Sequence, residues 1–118
     1  MTTPDIPRSD IPQIDVTEAA RRLRSGQAVM LDVREDDEWA AGRVAEATHM
    51  ALSQLRAGQV PTDRPVMAMC RSGNRSGKAA IELAAAGVDV SNVTGGMKAW
   101  QAAGLPVVTD GGAPGVVP

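Results

Sequence analysis

The chain has 118 residues, 43% of them hydrophobic, and a formal net charge of −2 from 14 acids and 12 bases. That length suits one domain around one core, and the near-balanced charge argues against nucleic-acid or anionic-membrane partners. Aromatic residues are limited to Trp39 and Trp100, so the core has to be built from Val, Leu, Ile, Met and Ala. No apolar run approaches the roughly 18 residues that cross a bilayer. The opening residues, with Pro4, Asp5, Pro7, Arg8 and Asp10, lack the apolar stretch of a secretory signal, and a cytoplasmic location is expected. One cysteine and one histidine exclude an intrachain disulfide and leave little for a soft metal site; neither metal nor organic cofactor is expected.

In chain order, residues 1–12 read as an irregular N-terminal arm with three prolines. Asp15 or Thr17 can cap a helix that carries Glu18 in its first turn, Ala19, Ala20 and Leu23 on its apolar stripe, and Gly26 as its stop. Residues 28–33, Ala-Val-Met-Leu-Asp-Val, form a nearly continuous apolar run, the pattern of a strand covered on both faces. Three acids, Asp36 to Glu38, open a brief helix that ends at Gly42. A short strand is expected near Thr48 to Met50, and one or two helical turns over 53–58. Residues 65–69 form a second buried strand that delivers the chain to Cys70. A helix is expected from about Ser76 to Gly87, a third buried strand over 88–93, and a last short helix over 97–103 closed by Gly104. Residues 109–118, with three glycines and two prolines, read as a flexible tail. Strands alternating with helices predict an α/β layered fold with a mainly parallel sheet.

The chemistry concentrates at Cys70. A residue just beyond the carboxyl end of a parallel strand, ahead of a helix, lies where open α/β sheets bind ligands. Converging loop amides and the helix dipole favour an anion there, and a thiolate or persulfide is one. Between Cys70 and Ile81 there are three cations, Arg71, Arg75 and Lys78, and no acid. Such surroundings lower a thiol's pKa. Gly73 allows a turn with positive φ, and Asn74 tolerates unusual turn conformations.

Four segments together resemble the rhodanese family of sulfurtransferases across about residues 12–108. They are Leu31-Asp32-Val33-Arg34-Glu35; Glu38-Trp39 with Gly42; the loop Cys70-Arg71-Ser72-Gly73-Asn74-Arg75-Ser76; and Val93-Thr94-Gly95-Gly96-Met97-Lys98-Ala99-Trp100, followed by Gly104-Leu105-Pro106-Val107. The resemblance implies a rhodanese-like domain over 13–108, a three-layer fold with about five mainly parallel strands flanked by helices. It also implies a thiosulfate sulfurtransferase in which Cys70 becomes a persulfide and then yields its sulfur to cyanide or a thiol, by double displacement. Residues Arg71 to Ser76 would bind the sulfur, and Arg71 and Arg75 would attract an anionic donor and hold the loop. Arg71 leans toward such a donor; a glycine there would have suggested 3-mercaptopyruvate.

Two positions depart from the family pattern: Arg43 where histidine is common, and His49 where a small polar residue is common. His49 is read as structural rather than as a base, since a thiolate needs none. Asp32 and Arg34 are read as a structural ion pair, Trp39 and Trp100 as packing groups, and Gly95-Gly96 as turn geometry. Three alternatives remain open. A cysteine phosphatase or arsenate reductase needs five residues between nucleophile and clamping arginine, whereas four separate Cys70 from Arg75. A non-catalytic interaction module on the same fold commonly lacks the cysteine. A sulfur carrier would keep the persulfide chemistry and deliver to an unidentified partner protein.

Overall fold

The structure, a computed structural model, describes residues 10–118, so most of the arm expected over 1–12 lies outside the described residues. Five short strands form one all-parallel sheet: β1 (Gln13–Ile14), β2 (Val29–Asp32), β3 (Thr48–His49), β4 (Val66–Met69) and β5 (Val90–Val93), in the order β1-β5-β4-β2-β3. Four helices alternate with them: α1 (Val16–Arg24), α2 (Asp36–Ala41), α3 (Asn74–Ala85) and α4 (Gly96–Ala102). Two 3-10 turns, Leu52–Gln54 and Ala57–Gln59, occupy the stretch where helical turns were expected. Asp15, not Thr17, caps α1, its carboxylate accepting from the Glu18 N–H at 2.8 Å.

Because helices cover both faces, the central strands are apolar on both, and successive residues feed two cores. Leu31, Val33, Val66, Ala68 and Cys70 pack with Ala79, Ala80 and Leu83 of α3. Met30, Met67, Met69 and Val93 pack with Ala19 and Ala20 of α1 and with Met97 and Trp100 of α4. Ile11 is buried in the first core, so the last residues of the expected arm belong to the domain.

Residues 109–118, expected to be a flexible tail, double back on the domain. Arg43 and Val108 form an isolated antiparallel bridge, Val108 and Pro114 a second, and the Val116 N–H donates to the Ala41 carbonyl at 2.9 Å. A Cβ at Gly42 would lie 2.3 Å from the Val116 carbonyl oxygen, so the contact depends on glycine at that position. The glycine and proline content that suggested a loose chain here permits close backbone approach. Arg43, where the pattern led one to expect histidine, also pairs with Asp110.

Candidate active site

Three strand ends meet at one edge of the sheet. β4 ends at Met69, directly opposite Asp32 at the end of β2, and Ala68 pairs with Asn92 of β5. The Val33 N–H donates to the Met69 carbonyl at 2.9 Å, and the Met97 N–H at the start of α4 donates to the Cys70 carbonyl at 2.8 Å. The backbone on either side of Cys70 is therefore pinned by two neighbouring elements. Gly96 is required for this: it adopts φ +56°, and a Cβ there would lie 2.4 Å from the Cys70 carbonyl oxygen.

Between β4 and α3 the chain turns back over the sulfur. Gly73 takes φ +105°, as its sequence position predicted, and its N–H donates to Cys70 Sγ at 3.0 Å. Ser76 Oγ lies 3.3 Å from the same sulfur. Burial pushes the Cys70 thiol up; the Ser76 hydroxyl and the N–H groups of Ser76, Gly73 and Ser72 more than reverse this, so the thiol ionises below its ordinary value. Cys70 is 1% exposed. It is thus buried like an inert core thiol, yet faced by donors like a reactive one.

The arginines are placed less simply than their charge suggests. Arg75 forms a fork onto Glu38 of α2, with Nη1 to Oε1 at 2.6 Å and Nη2 to Oε2 at 2.8 Å. That pairing holds the Glu38 carboxyl down to about 2 and anchors the loop to α2. Arg71 and Ser72 are exposed, as is Asn74, and Arg71 Nε donates to the Pro118 carbonyl at 2.7 Å. Among the described residues no arginine hydrogen-bonds Cys70 Sγ; its donors are amides and one hydroxyl.

The remaining polar residues brace this arrangement. Arg34 and Asp32 form a fully buried pair, with Nη2 to Oδ2 at 2.9 Å, and Arg34 also donates to the Glu38 and Gly42 carbonyls. His49 donates from Nε2 to the Arg34 carbonyl at 2.7 Å and stacks on Trp39 at 4.7 Å, with Arg43 4.9 Å from the Trp39 ring. These contacts tie His49 to α2 rather than to the sulfur. Trp100 is a buried packing group whose indole N–H reaches the Pro106 carbonyl.

Sequence reasoning missed Glu38 as the partner of Arg75, and it missed Asn92 and Gln13. Asn92 Oδ1 accepts from Ser76 Oγ at 2.6 Å, and Asn92 Nδ2 donates to Gln13 Oε1 at 2.9 Å. The available signal was the Ser91-Asn92 pair interrupting an otherwise apolar strand, since buried polar groups need partners. Gln13, Asn92, Gly73, Asn74 and Gly95 line a cleft of about 390 Å³ beside the loop. Among the described residues no group of three or more His, Cys, Asp or Glu side chains could hold a metal ion.

The model of the rhodanese-like domain matches residues 15–103. The chain belongs to the rhodanese-like family. A sulfurtransferase of Allochromatium vinosum is 38% identical over 104 residues, spanning 85% of this chain and 97% of that protein. An uncharacterized Synechocystis protein is also 38% identical, over 109 residues; the match covers 86% of this chain and 61% of the longer protein. Among solved structures, a rhodanese-related protein of Thermoplasma volcanium superposes with a TM-score of 0.76 at 29% identity, covering 84% of this chain and 99% of that one. The rhodanese-like assignment agrees with the five-stranded all-parallel sheet flanked by helices. No helix among the described residues is long and apolar enough to cross a membrane.

Proposed function

We infer that the chain is a sulfurtransferase that takes a sulfane sulfur from a small anionic donor such as thiosulfate and passes it through a Cys70 persulfide to cyanide or a thiol. The observation that carries this reading is the single thiol at the end of β4, faced by the N–H groups of Ser72, Gly73 and Ser76, with its pKa lowered. The name of the Allochromatium relative supports it.

In the first half-reaction the Cys70 thiolate attacks the outer sulfur of thiosulfate. The Sγ–S bond forms as the bond to the sulfonate sulfur breaks, and sulfite leaves with the electron pair. The persulfide anion then occupies the ring of N–H donors, which favours negative charge there. In the second half-reaction cyanide attacks the terminal sulfur, thiocyanate departs, and the Cys70 thiolate is restored. A thiol acceptor, free or on a sulfur-accepting protein, attacks the same atom. The commitment of Arg75 to Glu38 removes the arginine a phosphate clamp would need, which favours sulfur over phosphoryl chemistry. A lone thiol that must stay reduced suits the cytoplasm.

Intact mass after incubation with thiosulfate tests the reading. The parent is expected to gain one sulfur, about 32 Da, as covalent catalysis at a thiolate requires. Cyanide should remove it, and Cys70→Ser should gain nothing while keeping the parent's circular dichroism. A parent that gains no mass, or a Cys70→Ser protein that does, would sink the assignment. A persulfide that forms but resists cyanide points to delivery onto a partner protein's thiol.

A further inference from the structure

We propose that Asn92 is a positioning residue that competes with Cys70 for the Ser76 hydroxyl proton, and so opposes ionisation of Cys70. The geometry leaves little freedom. Ser76 Oγ carries one hydrogen but has two neighbours in reach, Asn92 Oδ1 at 2.6 Å and Cys70 Sγ at 3.3 Å. The orientation of both amides follows from backbone carbonyls, which only accept. Gln13 Nε2 faces the Ile11 carbonyl at 3.3 Å, which turns Gln13 Oε1 toward Asn92. Asn92 Nδ2 faces both that oxygen and the Gly73 carbonyl at 3.3 Å, using its two hydrogens. Its Oδ1 therefore points at Ser76 and has nothing to donate, so it competes with the Cys70 sulfur for the Ser76 proton, at the shorter of the two contacts.

With its hydrogen on Asn92, Ser76 Oγ presents lone pairs to the sulfur; turned to Cys70, it supports the thiolate and gives up the shorter contact. A neutral Cys70 thiol can donate to them; a thiolate meets them unfavourably unless the hydroxyl turns and abandons Asn92. Either way the Asn92 carbonyl costs the thiolate and not the thiol. The Ser76 hydroxyl, when it donates to the sulfur, and the amides of Ser76, Gly73 and Ser72 favour the anion, so Asn92 moderates a pKa that they depress. A thiolate of higher pKa is the stronger nucleophile, so the arrangement trades population for reactivity. None of this depends on which molecule supplies the sulfur. The charged groups carried by the elements around this cluster are Arg71, Arg75, Lys78 and Glu82 of the loop and α3, Asp36, Asp37 and Glu38 of α2, the Asp32–Arg34 pair and Lys98, and the variants below leave all of them in place.

The test reads Cys70 directly. The chain has no tyrosine and one cysteine, so a far-ultraviolet thiolate titration reports this group alone. Asn92→Leu, close in volume, should raise the thiolate fraction about fivefold at pH values below the parent's midpoint, the size of one neutral hydrogen bond. Asn92→Ala should shift the same way. In a Ser76→Ala background, replacing Asn92 should change nothing further. If the Asn92 variants fail to fold, Gln13→Leu at the exposed edge strand loosens one tie on Asn92 and should give a smaller shift in the same direction. An unchanged or raised midpoint in the folded variants, or an equal shift without the Ser76 hydroxyl, would overturn the proposal. Because no sulfur donor is present, that result would leave the sulfurtransferase reading standing.

Discussion

Two arginine–carboxylate pairs hold α2, and their surroundings give them different work. The Asp32–Arg34 pair is fully buried, with side chains 1% and 0% exposed, and Arg34 spends its remaining donors on the Glu38 and Gly42 carbonyls. The Glu38–Arg75 pair is partly open, with side chains 15% and 31% exposed, and it ties the same helix to the loop around Cys70. One pair joins α2 to the end of β2; the other joins it to the loop that follows Cys70. A buried pair is costly to break because the survivor stays charged and dry, whereas an exposed pair can be resolvated. The first should therefore act on the fold and the second on chemistry.

The largest effect expected is on the buried side. Arg34→Met leaves the Asp32 carboxylate without its counter-charge and should cost about 3–5 kcal/mol in denaturant unfolding. Replacing both residues by apolar ones should recover much of that loss. A single variant that loses under about 1 kcal/mol would place this pair with ordinary surface pairs, and the contrast drawn above would fail.

Glu38→Gln sharpens the other half. It keeps an oxygen for the Glu35 N–H, which Glu38 accepts at 3.0 Å, but removes the charge that holds Arg75. Stability should change by roughly 1 kcal/mol or less, the range of partly exposed pairs. Sulfur-transfer turnover should fall several-fold, and the defect should persist at high salt because it is one of loop position. The pH dependence follows from the same contact. The fork from Arg75 depresses Glu38 from 4.5 to about 2, so in that window the unfolded chain binds the proton more readily. The contribution of Glu38 is complete above about 4.5 and fades as pH falls toward 2. Unfolding measured across this range should lose that acid-dependent portion in Glu38→Gln; identical profiles would show that the pair is not formed.

This division also explains what could be read from the residues alone. Local patterns carried most of the frame: nearly continuous apolar runs marked β2 and β4, a valine-rich stretch marked β5, and Gly73 took the positive φ that a turn over Cys70 requires. The start of α3 lies two residues before the expected one because the loop geometry lets Asn74 and Arg75 enter the helix. What stayed illegible depends on distant pairing. Glu38 lies 37 residues from Arg75, and Gln13 lies 79 from Asn92; no period or spacing announces either contact. The C-terminal segment is illegible for the same reason, since its course is set by contacts with Gly42, Arg43 and Arg71.

Arg71 offers the smallest effect and the finest discrimination. Unlike Arg75 it is exposed and pairs with no Asp or Glu side chain among the described contacts; its Nε meets a main-chain oxygen of Pro118, and its guanidinium is open to an approaching anion. Arg71→Ala should raise the thiosulfate KM a few-fold at low salt, and kcat should hardly move, because steering acts before the reacting atoms meet. At 1 M salt, where screening reaches about 3 Å, parent and variant should converge. Arg71→Lys separates charge from shape: it keeps the attraction but not the guanidinium Nε that meets the Pro118 carbonyl. Near-parental KM in Arg71→Lys would assign the effect to charge. A loss as large as that of Arg71→Ala, or one that survives high salt, would instead make Arg71 a clasp for the C-terminal segment, leaving the loop's backbone N–H groups to recruit the donor.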